Sequence, residues 1–97
     1  LRQIAAGKEC YLRLPGICNY DPTSTVLAHI RRGNTAGGGM KPADINGAPL
    51  CFACHQAYDG VTRTGYSRIQ LDAEMLRAHA QWLDWLWNNE IIIVVAA

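Results

Sequence analysis

The chain has no apolar run long enough to cross a bilayer: the longest, Ile91 to Ala97, falls far short of the roughly 20 residues a membrane helix needs. It also lacks an excess of charge of either sign. Nine Lys or Arg against eight Asp or Glu give a formal charge of +1, so net charge neither demands nor excludes a polyanionic partner, and only the distribution of basic residues can decide. No signal peptide precedes the cysteines, so the expectation is a soluble cytoplasmic protein with reduced thiols. A true phosphate-cradling loop is missing as well. Gly37-Gly38-Gly39-Met40-Lys41 superficially resembles one, but Pro42 stands where a P-loop needs Ser or Thr ahead of a helix. Gly33 to Pro42 therefore reads as a connector, whose Lys41 could close over a charged substrate. Finally, the chain is short. Its 97 residues allow one domain, 1–97, with one modest core, a size at which a structural metal commonly supplements hydrophobic burial.

What the chain does have is four cysteines in an informative pattern. Cys51 and Cys54 stand in C-x-x-C spacing, close enough for one tight turn to point two thiolates at one ion, which is half of a tetrahedral zinc site. The other half must come from Cys10 and Cys18, whose seven-residue gap is wider than a standard knuckle and gains meaning only beside the first pair. Two disulfides and four buried free thiols are the competing readings. The reducing compartment favours a structural Zn2+ held by Cys10, Cys18, Cys51 and Cys54.

Local patterning supplies the elements. Leu1 to Ala6 predicts a short helix with Leu1, Ile4 and Ala5 inward, ended by Gly7. Alternation over Cys10 to Leu14 predicts a strand broken by Pro15-Gly16, and Val26 to Ile30 predicts a second strand carrying His29 near its end. Asp44 to Leu50 reads as a turn feeding a brief strand, and Ala53 to Tyr58 as a helix. On that helix His55 and Asp59 would stand at i and i+4, a spacing that lets two side chains share one metal and that is also common on exposed polar faces. The longest helical pattern spans about 71–90, with a core-facing stripe of Leu71, Met75, His79, Trp82, Leu83 and Leu86. His79 reads as packing or surface. Trp85 and Trp87 fall outside the stripe and would stay exposed unless the tail or a second copy covers them, which leaves a homodimer open.

His29 after a short strand, Asn46 after a variable loop, and His55 within Leu50-Cys51-x-x-Cys54-His55 together resemble the HNH signature of the ββα-metal nuclease superfamily, over about residues 10–60. The wording is closest to small prophage-encoded nucleases of the YbcO type, through Gly7-Lys8-Glu9-Cys10, Leu14-Pro15-Gly16-Ile17-Cys18-Asn19 and Val26-Leu27-Ala28-His29-Ile30-Arg31. At the place before the first motif histidine, where many HNH enzymes carry an Asp or His ligand, this chain has Ala28. The resemblance implies an α+β fold, a small single domain with a zinc-stapled ββα-metal core and a long C-terminal helix. It implies an endonuclease that hydrolyses DNA in phage or prophage recombination or processing, with a recombination protein open as a partner. In that mechanism His29 is the general base, Asn46 orients its ring, and His55 ligates a catalytic Mg2+, Mn2+ or Zn2+ together with Asp59. Arg31, Arg32, Lys41, Arg63 and Arg68 would contact phosphates without reading bases, although scattered surface arginines are as common a reading.

Two rivals use the same residues. Cys51-x-x-Cys54-His55 matches a c-type haem attachment motif letter for letter, but haem would leave the second cysteine pair idle and give His29 and Asn46 no role. A zinc-stabilised DNA-binding module without catalysis is the other.

Overall fold

A computed structural model describes residues 1–30 and 43–93. Five elements carry the architecture: α1 (Arg2–Ala5), β1 (Val26–His29), β2 (Gly47–Leu50), α2 (Phe52–Tyr58) and α3 (Arg68–Asn88). A single 3₁₀ turn, Pro22–Ser24, precedes β1, started by Asp21, whose side chain accepts from the Thr23 N–H. The order strand, strand, helix expected after the first cysteines is present.

The two strands pair antiparallel, with Val26 opposite Leu50, Leu27 opposite Pro49, Ala28 opposite Ala48 and His29 opposite Gly47. Small residues at the centre let the strands close tightly. A Cβ at Gly47 would come within 2.4 Å of the Ala28 carbonyl oxygen, so only glycine fits opposite His29. The outer edge of β2 is satisfied from two directions. Tyr11 N–H donates to the Pro49 carbonyl at 2.8 Å, and His79 Nδ1 bonds the Gly47 carbonyl at 2.7 Å. His79 is thus a packing residue that ties α3 to the sheet.

Helix α3 begins three residues earlier than the apolar stripe suggests because Ser67 caps it. The Ser67 hydroxyl accepts from the Gln70 N–H at 3.1 Å, and the Gln70 side chain accepts from the Ser67 N–H at 2.8 Å, a reciprocal capping box. Its buried face is Leu71, Met75, Ala78, Trp82 and Leu86. Ala78 takes the central place that the sequence pattern assigned to His79, because its small side chain lets the helix approach the sheet.

Trp82 is fully buried and anchors the packing, edge-on to Tyr11 with ring centroids 5.5 Å apart and stacked on Trp85 at 5.3 Å. Lys8 covers Trp85, its Nζ 4.0 Å from the ring centroid, so Trp85 is not bare. Trp87 remains half exposed.

The segment Cys10 to Leu14 is not a strand, contrary to its alternation. Arg13 takes a left-handed φ of 47°, which turns the chain back toward Cys10. Its carbonyls are held instead by α3: Arg77 donates to the Tyr11 carbonyl at 3.1 Å and to the Leu12 carbonyl at 2.8 Å, with Glu74 bracing the guanidinium at 2.9 Å. Arg77→Ala should therefore lower stability by about 1.5 kcal/mol, the lower end for charge-assisted bonds because the side chain is partly solvated. Urea unfolding checks this, and Arg77→Lys should recover only part of the loss, since one ammonium cannot reproduce the planar fork.

Candidate functional site

The four cysteines converge. Cys10, Cys18, Cys51 and Cys54 place their sulfur atoms within 4.8 Å of one another, and among the described residues no other group of three or more His, Cys, Asp or Glu does so. Each thiol is positioned by its own turn. The left-handed Arg13 aims its N–H at Cys10 Sγ, 3.5 Å away, while the Arg13 Nε bonds the Cys10 carbonyl at 2.8 Å. Gly16, at φ 77°, closes the turn that delivers Cys18, whose N–H reaches the Leu14 carbonyl at 2.9 Å. Cys51 caps α2, its sulfur accepting from the Cys54 N–H at 3.4 Å.

The sulfur spacing fits a tetrahedral ion. Zinc–sulfur bonds of about 2.3 Å set sulfur–sulfur edges of about 3.8 Å, and Cys51 and Cys18 stand 3.8 Å apart. A disulfide would need about 2.0 Å, and all four cysteines are free. Burial counts against the haem reading: Cys51 and Cys54 are wholly buried, with their sulfurs packed within 4.8 Å of those of Cys10 and Cys18.

The thiols also compete for protons as such a donor set should. Cys10 is pulled down to about 4, first by the hydrogen bond from the Cys54 thiol and, against the cost of burial, by the N–H groups of Arg13, Cys51 and Leu12. Cys54 is pushed well up, first because it gives that hydrogen bond, then by burial and the neighbouring sulfurs. Burial pushes Cys18 up to about 11. A cation at the centre would relieve this conflict, because several thiolates can coexist only with a charge to share.

Two histidine–carboxylate pairs lie on the elements flanking the cluster. His29 ends β1 with its side chain only 11% exposed, and its Nε2 stands 3.0 Å from Asp44 Oδ1. Arg2 Nε reaches the same oxygen at 3.1 Å. The hydrogen bond with His29 holds the Asp44 carboxyl below its ordinary value, opposed by partial desolvation and reinforced by Arg2. On α2, His55 Nε2 stands 3.1 Å from Asp59 Oδ2, both side chains about 31% exposed, beside the buried stripe of Cys54, Ala57 and Tyr58. Two donors at right angles on an octahedral ion with bonds of about 2.1 Å stand about 3.0 Å apart, so this pair can share one divalent cation as well as hydrogen-bond.

Other candidates are placed differently from the sequence expectation. Asn46 closes the hairpin through its backbone, donating to the Ala43 carbonyl at 2.9 Å and accepting from Ile30 N–H at 2.8 Å. Among the described residues no hydrogen bond joins its side chain to His29, and Asp44 takes the place expected of it. Arg63 is exposed on the loop before α3. Arg68 lies at the surface, where it donates to the Tyr58 carbonyl at 2.6 Å, pairs with Asp72 at 2.9 Å and lies 4.8 Å over the Tyr58 ring. Arg31, Arg32 and Lys41 lie outside the described residues.

Known proteins resemble this chain over most of its length. A family model described as "Putative nuclease YbcO" matches residues 1–85, running from α1 through both strands and α2 into α3. "Putative nuclease YbcO" of Escherichia coli (strain K12) is 41% identical over 86 residues, covering 86% of this chain and 90% of that protein. The protein of the same name from Enterobacteria phage 82 matches equally, 41% over 86 residues with the same coverage. A solved structure titled "Structure of a putative bacteriophage protein from Escherichia coli str. K-12 substr. MG1655" superposes with a TM-score of 0.79 at 32% identity, covering 94% of this chain and all of that one. With cysteine knuckles, hairpin and histidine-bearing helix all inside the matched region, the chain belongs to the YbcO family.

Proposed function

We propose that this protein is a metal-dependent endonuclease of the HNH type that hydrolyses DNA phosphodiester bonds, serving phage or prophage recombination or DNA processing. The observation that supports it most is the pairing of His29 with a carboxylate at the end of β1 while a second pair, His55 and Asp59, stands on the helix that follows the hairpin. The relatives' nuclease names favour the same reading.

In this reading the four-cysteine cluster holds a structural Zn2+ that fixes the start of α2, and the chemistry happens on the outer side of that helix. His29 takes a proton from a water molecule, whose oxygen forms a bond to phosphorus. The bond from phosphorus to the leaving oxygen then breaks, with the electron pair staying on that oxygen until solvent protonates it. His55 and Asp59 hold a divalent cation. When bound, that cation supplies positive charge opposite the charge that grows on the phosphate, with Mg2+, Mn2+ and Zn2+ all compatible with a His–Asp pair. Asn46 keeps the hairpin closed behind His29. Arg63, with Arg31, Arg32 and Lys41 of the connecting segment, contributes sequence-independent phosphate contacts.

The test is cleavage of supercoiled plasmid and of single-stranded DNA with Mg2+, Mn2+ or Zn2+, and with chelator. Nicking that requires added cation is expected. Binding without cleavage under every metal would leave the zinc-stabilised DNA-binding module as the better reading.

A further inference from the structure

We infer that Asp44 is the positioning residue for His29, holding the imidazole in the tautomer whose Nδ1 is free to take a proton. The inference rests on the nuclease reading for its catalytic meaning, but its geometric part stands on the contacts alone.

A carboxylate that is ionised can only accept hydrogen bonds. Asp44 Oδ1 stands 3.0 Å from His29 Nε2, so Nε2 must be the donor. A neutral imidazole carries one ring hydrogen, and with that hydrogen on Nε2 the lone pair lies on Nδ1. Asp44 is kept ionised by its neighbours: the bond with His29 lowers its carboxyl most, and Arg2 adds to this against partial desolvation. Among the described residues the charged or titratable groups facing Asp44 are His29, from β1, and Arg2, from α1. Arg2 Nε donates to the same carboxylate oxygen at 3.1 Å. The His29 ring is 11% exposed, which limits its freedom to turn away from this partner. An oriented base of this kind needs a third group behind it, and the structure supplies Asp44 where the motif suggested Asn46.

The decisive readout is the nitrogen-15 spectrum of the imidazole rings, which reports tautomers without reference to cleavage. The chain has three histidines, so assignment is tractable. His79 gives an internal contrast, since its Nδ1 faces a carbonyl that can only accept, 2.7 Å away, and must carry the hydrogen there. In the wild type, neutral His29 should appear as the Nε2–H tautomer. Asp44→Ala, which removes the acceptor, should let the Nδ1–H tautomer of His29 become populated, whereas Asp44→Asn, whose Oδ1 can still accept from Nε2–H, should hold the tautomer better than alanine does. With DNA, Asp44→Ala should lower kcat by about 10-fold to 100-fold with KM little changed, and Asp44→Glu should restore part of the rate. A wild-type protein that cuts DNA, combined with an unchanged His29 tautomer or unchanged kcat in Asp44→Ala, overturns the assignment of Asp44 alone. A wild-type protein that cuts under no metal removes the nuclease reading and the catalytic role of Asp44 with it.

Discussion

Cys54→Ser, or stripping the cluster with a strong chelator, is expected to unfold the N-terminal half of the domain. Cys54 is wholly buried among Cys10, Cys18 and Cys51, so its loss opens the tetrahedron at a point that water cannot repair. The size of the effect follows from the energy scale. Structural zinc contributes about 10 kcal/mol or more of apparent binding free energy in small domains, and the whole net stability of a typical domain is about 5–15 kcal/mol. The cluster also organises what surrounds it. Arg13 and the Gly16 turn take left-handed backbone conformations to aim Cys10 and Cys18, and without an ion nothing in the cluster offsets four crowded thiols. Elemental analysis should find one zinc per chain, and circular dichroism during chelator titration should show a cooperative loss of structure that added zinc reverses. A metal-free protein with the same melting curve would contradict the structural role of the cluster.

The cluster was legible from sequence because the C-x-x-C turn of Cys51 and Cys54 is a local feature, and Cys10 and Cys18 are the only other cysteines that could complete its ligand set. The order strand, strand, helix was legible for the same reason: Val26 to His29 and Phe52 to Tyr58 carry their pattern within a few residues. Cys10 to Leu14 misled because alternation records only which side chains are buried. Leu12 and Leu14 are indeed buried, but the left-handed Arg13 makes a knuckle of a segment that looks extended. The start of α3 could have been read, since Ser67-Arg68-Ile69-Gln70 has capping-box spacing. Asp44 and Arg77 could not. Asp44 meets His29 across 15 residues and Arg77 meets Tyr11 across 66, contacts that exist only once the chain has folded. Arg68 shows the reverse problem, because a basic residue near a predicted site does not reveal that its charge is already paired with Asp72.

His29→Ala and His55→Ala are expected to fail in different ways. His29 ends a strand against Asp44, whereas His55 shares a helix face with Asp59, and the proposed mechanism gives the two side chains separate tasks. Removing His29 takes away the proton acceptor, a loss typically worth about 100-fold to 10,000-fold in rate, while Mn2+ affinity should hold. Removing His55 should weaken Mn2+ binding itself, Asp59→Ala should do so to a smaller degree, and neither should release the zinc. Asn46→Ala should cost less than His29→Ala, since the bonds Asn46 makes in the hairpin are backbone bonds that alanine keeps.

The most direct test is the single-turnover rate of DNA cleavage by His29→Ala against the wild type, with equal zinc content and saturating Mn2+. A fall of about 100-fold or more is the expected result. Cleavage at the wild-type rate would contradict the HNH assignment of His29 and, with it, the mechanism proposed for this chain.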